Sequence, residues 1–262
     1  MGSTTESIYR RFRPGRFVRR SDIGALLRDP RRTATAVAWL LESGRALTVQ
    51  RGLYYLKSPD EWHRDSVEVN PLLVAANAHP KGVIGYHAAL KCYGSAYSES
   101  SQYQVAVDKS VRRVLKGFDF QRAGYKFYRA DLSFGLASSV IDDVRVSHFS
   151  RERILLEGLM FPDRFLGIGE FLQSIESFTW VDLDALRGMV RYYPLVTICM
   201  RLGWLLEQNA ERWHVGARIL NDLEQHRPES RILLVKSMSR GNRLVRRWSL
   251  MVPKTVDALT EV

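Results

Sequence analysis

Along the first 60 positions the apolar residues fall into three helix-spaced groups followed by two short strand-like runs. Ile8, Tyr9 and Phe12 give one weak apolar face, stopped by Pro14-Gly15, and Arg16-Phe17-Val18-Arg19-Arg20 reads as a short strand. Ser21 is placed to cap a second helix, since its hydroxyl can accept from an exposed amide two or three residues on, and Ile23, Leu26 and Leu27 follow at helical spacing. Asp29-Pro30 breaks the chain. Ala34, Val37, Ala38, Leu40 and Leu41 then mark a third helix from Arg31 to Ser43, ended by Gly44. Ala46-Leu47-Thr48-Val49 and Leu53-Tyr54-Tyr55-Leu56, rich in strand formers, flank the turn Gln50-Arg51-Gly52. This is the element order of a winged helix-turn-helix, which we assign to residues 1–60.

Residues 61–262 read as a larger mixed α/β domain, making the whole chain α+β. Two helices flank Val83-Ile84 between Asn70 and Tyr93, and residues 103–107, 125–128 and 144–149 alternate as strands should. Four helices are expected to start near Ser150, Gly167, Asp182 and Pro194. In the last, Leu195, Ile198, Cys199, Leu202, Leu205 and Leu206 share a face, with Met200 and Trp204 in the core and Arg201 and Glu207 nearer the surface. Residues 231–234 and 245–252 read as two strands around a basic turn.

Charge changes the picture by where it sits. The chain carries a formal +11, and residues 1–57 hold 12 Lys/Arg against Glu6, Asp22, Asp29 and Glu42. Residues 227–254 hold 8 Lys/Arg against Glu229 alone, while the middle of the chain is slightly acidic. A basic balance favours anionic partners such as nucleic acid. In a helix-turn-helix the second helix of the pair enters the major groove with its N-terminal residues toward base edges, so Arg31, Arg32, Thr33 and Thr35 are the candidate base readers. Arginine's planar fork can bond guanine O6 and N7 together. Arg10, Arg11, Arg13, Arg16, Arg19, Arg20 and Arg51 are the candidate phosphate contacts, which supply salt-dependent affinity rather than specificity. Arg240, Asn242, Arg243, Arg246 and Arg247 form a possible second basic surface, facing DNA, an acidic partner or solvent at a charge-protected strand edge. An arginine-rich module can also be a solvated surface or a protein-docking unit.

Ser43-Gly44-Arg45 leading to Arg51-Gly52-Leu53-Tyr54-Tyr55 resembles the N-terminal winged helix of the AbiEi family, antitoxins of bacterial abortive-infection toxin-antitoxin pairs. The resemblance continues, in the family's order, through residues 82–90 with Tyr93-Gly94, residues 150–157, residues 201–207, and Arg240-Gly241-Asn242 with Arg246-Arg247-Trp248. Glu157 stands where the family pattern has an aspartate. The resemblance implies an antitoxin that represses its own operon at promoter inverted repeats of double-stranded DNA and neutralises a nucleotidyltransferase-like toxin.

Catalytic patterns are not found. The chain has no Walker loop, GxGxxG, GxSxG or HExxH, and its six histidines are scattered. Asp142-Asp143 read as loop residues and His87 as a helix-end packing residue. Cys92 and Cys199 lack metal-ligand spacing and are expected to be buried thiols. The expectation is therefore a non-enzyme without cofactor or metal, off the membrane and cytoplasmic. Two alternatives are a solitary regulator with a sensory domain, marked by a large apolar pocket, and a DNA-processing enzyme, marked by convergent polar groups.

Overall fold

The computed structural model describes residues 2–64, 66–114, 116–236 and 241–256, and the chain in it is α+β. The N-terminal unit consists of α1 (Gly2–Phe12), β1 (Phe17–Arg19), α2 (Arg20–Leu27), α3 (Pro30–Glu42), β2 (Ala46–Gln50) and β3 (Leu53–Leu56). Its three strands order as β1-β3-β2, both pairings antiparallel. Ser21 does not cap α2. The cap position lies two residues earlier, at Arg19, whose amide donates to the Asp22 carboxylate at 3.2 Å. Asp29-Pro30 both ends one helix and opens the next: Asp29 accepts from the amides of Arg31 (2.7 Å) and Arg32 (3.1 Å), and Pro30 takes the first helical turn, where its missing N–H costs nothing.

Strand β3 is buried on both faces. Tyr54 and Leu56 join Ile8, Tyr9, Val18, Ile23, Val37 and Leu40 in a small core beneath the helices, while Leu53 and Tyr55, with Phe17 and Val49, enter the main core of the molecule. Alternation along a strand does this: successive side chains leave by opposite faces.

The main core lies between a six-stranded sheet and a helical layer. The sheet comprises β4 (Gly82–Ile84), β5 (Gln102–Asp108), β6 (Gly117–Phe120), β7 (Ala123–Ala130), β8 (Leu136–Ile141) and β9 (Val144–Phe149), ordered β6-β7-β5-β4-β9-β8. The pairs β5–β7 and β4–β9 are parallel and the rest antiparallel. Helices α4 (Pro71–Asn77) and α5 (Tyr86–Cys92) lie against β4, β5 and β9. Then come α6 (Arg151–Met160), α7 (Ile168–Ile175), α8 (Leu183–Val190), α9 (Leu195–Gln208) and α10 (Ala217–Glu224). The first four of these begin where Ser150, Gly167, Asp182 and Pro194 were read as starts. In α6 the buried Arg153 pairs with Glu157 at 3.2 Å, and Tyr193 donates to the same carboxylate.

Helix α9 is the axis of the helical layer, contacted by α6, α8 and α10. Met200 and Trp204 are buried, as their spacing implies, but Arg201 is buried too, against expectation. Its guanidinium donates to the carbonyls of Leu159 (2.5 Å) and Leu233 (2.8 Å), tying α6 to the last part of the chain. Among its described residues that part has three strands where two were expected: β10 (Ile232–Leu233), β11 (Asn242–Val245) and β12 (Leu250–Pro253), ordered β10-β12-β11. Among the described residues no helix is long and apolar enough to cross a membrane.

Gly203 lets Trp248 lie directly on α9, and a Cβ there would sit well inside contact distance of the indole ring. Gly203→Ala should therefore lower unfolding free energy by about 1–3 kcal/mol, whereas Gly188→Ala, on the open face of α8, should be neutral or stabilising by up to about 1 kcal/mol. Urea denaturation of both variants checks this.

Candidate nucleic-acid interface

Helix α3 divides by its period. Thr33, Ala36, Val37 and Leu40 are buried against the small core, leaving Arg31, Ala34, Thr35, Leu41 and Glu42 on the opposite, exposed face with Arg32 at its flank. The Arg31 and Arg32 side chains are solvent-facing at the helix N-terminus. Between Arg31 and Glu42 the outer face holds no acid, and its small Ala34, Thr35 and half-buried Ala38 let another surface approach the backbone closely. Thr35 is exposed and donates its hydroxyl proton to the Arg31 carbonyl at 3.1 Å.

Thr33 is a correction. It is 4% exposed, packs against Gly24 of α2, and donates back to the Asp29 carbonyl at the start of its own helix at 2.7 Å, so it faces inward and cannot meet a partner. Arg28, which sequence reasoning passed over, is exposed beside the α3 N-terminus in a left-handed conformation (φ 52°) that turns α2 into α3. An arginine directly before Asp-Pro was the available signal.

The candidate phosphate contacts separate into two groups. Arg11, Arg20 and Arg51 are exposed, Arg51 in the β2–β3 turn. Arg10 is exposed but pairs with Glu6 at 3.4 Å. Arg13 lines a groove of about 580 Å³ with Arg10, Arg16, Tyr9 and Trp62, into which Glu6, Asp142 and Asp143 also face, so its field is partly cancelled there. Asp142-Asp143 form the β8–β9 turn, both with positive φ, in keeping with their reading as loop residues. Arg16 and Arg19 are only partly exposed and are held by protein groups. Arg16 donates to the Tyr55 hydroxyl at 3.1 Å and lies 4.0 Å from Glu61, and Arg19 donates to the Asn77 carbonyl at the end of α4. Burial depresses the Arg19 pKa, opposed by the nearby Asp22, which marks a group withdrawn from water. Gln50 likewise donates to the Ala78 carbonyl at 2.7 Å. The hairpin is thus docked on the larger unit, and Arg51 is the basic side chain left at its tip.

Near the other end of the chain, Arg247 is held by Glu207 (2.7 Å) and Glu224 (2.9 Å), beside Trp248, whose indole N–H donates to Glu207 at 2.7 Å. Two carboxylates raise its pKa and neutralise it as a free surface charge. Arg243 and Arg246 are exposed, Asn242 is half-buried, and Arg240 lies outside the described residues.

His87 opens α5, fully buried, with Nε2 3.2 Å from Glu170, which also accepts from the Ser98 amide (2.8 Å) and hydroxyl (2.5 Å). His148 is buried between the Phe149 carbonyl and the Ser139 hydroxyl, each at 2.8 Å. Burial lowers both imidazole pKa values, a drop that Glu170 opposes at His87. Cys199 is buried and Cys92 half-buried, and burial pushes their thiols up to about 11 and about 12, away from reactive thiolates.

No family model and no curated protein matches the chain. Among solved structures, the crystal structure of the RV2827C protein from Mycobacterium tuberculosis is similar, with a TM-score of 0.63 over 96% of this chain and 90% of that one, at 13% identity. At that identity the likeness is one of fold.

Two outcomes follow from the geometry. Arg19→Ala, which strands the Asn77 carbonyl, should cost about 1–3 kcal/mol of stability, while Arg31→Ala should stay within about 0.5 kcal/mol; urea midpoints separate them. Because His87 and His148 have pKa values below that of an unfolded histidine, the unfolded chain binds more protons as pH falls through about 6.5, so stability should decline from pH 7 toward pH 5. The slope should flatten in a His87→Gln/His148→Gln variant, and a slope unchanged by both substitutions would contradict the assignment.

Proposed function

We propose that the N-terminal unit is a winged helix-turn-helix that binds double-stranded DNA through α3, and that the chain is an AbiEi-like antitoxin repressing its own operon. The observation that carries the DNA reading is the outer face of α3: Arg31, Arg32 and Thr35 exposed around small residues, with the only acid of the turn, Asp29, consumed in capping the helix. A capped helix N-terminus that presents arginines beside Ala34 and Thr35, with the exposed Leu41 only at the far end of the helix, suits entry into a major groove. Arg20, Arg28 and Arg51 supply the flanking phosphate contacts. The antitoxin part rests on the ordered sequence resemblance, which also names inverted repeats as the operator and a nucleotidyltransferase-like toxin as the partner.

A sensory regulator is the second reading. It is favoured by a groove of about 520 Å³ in the larger unit, lined by Val67, Val69, Tyr103, Phe120 and Tyr125, within the size range of small-molecule sites. A ligand that changed promoter affinity would support it.

In mobility-shift titrations against the chain's own promoter, Arg31→Ala and Arg32→Ala should each reduce discrimination between specific and random duplex by about 1–3 kcal/mol, leaving salt-sensitive residual binding. Arg51→Ala should weaken both duplexes alike and lower the salt slope by about one unit. Unchanged discrimination in the α3 variants would remove α3 as the reading helix. Co-expression with the product of the neighbouring gene tests the antitoxin part, with relief of growth arrest expected and persistent arrest contradicting it.

A further inference from the structure

The six-stranded sheet ends on one side at β8, and β8 lacks the usual devices that keep an open edge from pairing. Leu136-Ala137-Ser138-Ser139-Val140-Ile141 contains neither charge nor proline, and its ladder with β9 runs without a bulge from Leu136 opposite Phe149 to Ile141 opposite Val144. Leu136 is 41% and Val140 63% exposed, on the same face as exposed Ser138. The two-residue turn Asp142-Asp143 closes on the Ile141–Val144 pair, so Ala137, Ser139 and Ile141 exchange hydrogen bonds with β9. The N–H and C=O groups of Leu136, Ser138 and Val140 therefore point outward.

We propose that β8 is the edge through which two copies of this chain dimerise, the strands running antiparallel across a two-fold axis at Ser138. That register sets Leu136 opposite Val140 of the partner subunit, Val140 opposite Leu136 of the partner subunit, and the two Ser138 residues opposite each other. All three are residues whose backbone groups face outward, so each opposed pair exchanges both of its hydrogen bonds, and the exposed apolar side chains meet as cross-strand pairs. β8 itself carries no charge to oppose its counterpart; the nearest one is Arg145 of β9, which donates to the Ser138 hydroxyl at 3.2 Å, so each copy brings one arginine toward the axis. At each end of the joined strands, the acidic Asp142-Asp143 turn of one copy comes to the Phe134 end of the other. There Tyr192 stacks on Phe134 (4.0 Å, 3° between planes) and exposed Arg191 donates to the Tyr192 hydroxyl. Acid meets base at both ends, a self-complementarity that an unrelated strand would not share. A two-fold axis relating the copies also relates their α3 helices, the symmetry of an inverted repeat, although the dimer stands or falls without DNA.

Sedimentation velocity of the full chain alone, over a concentration series, tests this. The parent should approach twice its 30.1 kDa mass. Val140→Lys adds like charge at an exposed position, and Ser138→Pro removes an outward donor without touching the β9 ladder. Both should remain monomeric where the parent is dimeric, with unchanged circular dichroism and melting, while Val140→Ile stays dimeric. A monomeric parent throughout the series, or a dimer that survives either disruptive substitution, overturns the proposal.

Discussion

The arrangement depends on β3, whose four side chains alternate between two cores. Tyr54 and Leu56 anchor the small core that carries α2 and α3, and Leu53 and Tyr55 anchor the main one. Burying a large side chain is worth about 1.5–3 kcal/mol, so the strand's two faces bind the basic unit to the rest of the molecule far more tightly than a flexible linker would. Removing residues 1–57 would strip Phe17, Val49, Leu53 and Tyr55 from the main core as well as removing α3. Point substitutions on the outer face of α3 are therefore the cleaner way to test the proposed DNA contact apart from any other activity.

That coupling sorts the arginines. Where the unit faces inward, Arg16, Arg19 and Arg45 become structural: Arg45 lies between Trp39 and Trp62, 4.4 and 4.6 Å from the ring centroids, and pairs with Glu6. Arg201 and Arg247 do the same work around α9. Where the unit faces outward, Arg28, Arg31, Arg32 and Arg51 remain exposed. The net charge of the N-terminal segment thus overstates the basic surface available to a partner, and position in the fold decides which arginines count.

Much of the architecture was legible in the sequence. Helical periodicity located α3 and α9, and Ser150 and Asp182 announced their helices because a side-chain oxygen at that position satisfies an otherwise orphaned amide. Asp29-Pro30 announced a break for the same reason it became a helix start. What the sequence concealed was tertiary. Strands β6 and β8 lie at the sheet edges, where half-exposed positions blur the apolar alternation, and α10 presents only a narrow buried stripe of Leu220 and Leu223. The fates of Thr33, Arg16, Arg19 and Arg201 were hidden because a polar residue's burial depends on which carbonyl or hydroxyl the fold brings to it. Of the candidate site, the exposed α3 residues were readable from spacing, whereas the docking of the hairpin against Asn77 and Ala78 was not.

Hydrogen exchange of the full chain with and without its promoter duplex tests the central claim most directly, since it would map any DNA contact without altering the protein. The account predicts slowed exchange concentrated in residues 28–35 and at the Arg51 turn, with β1 and β3 unchanged because they are already buried. Protection confined to residues 241–247, or none in α3, would contradict it.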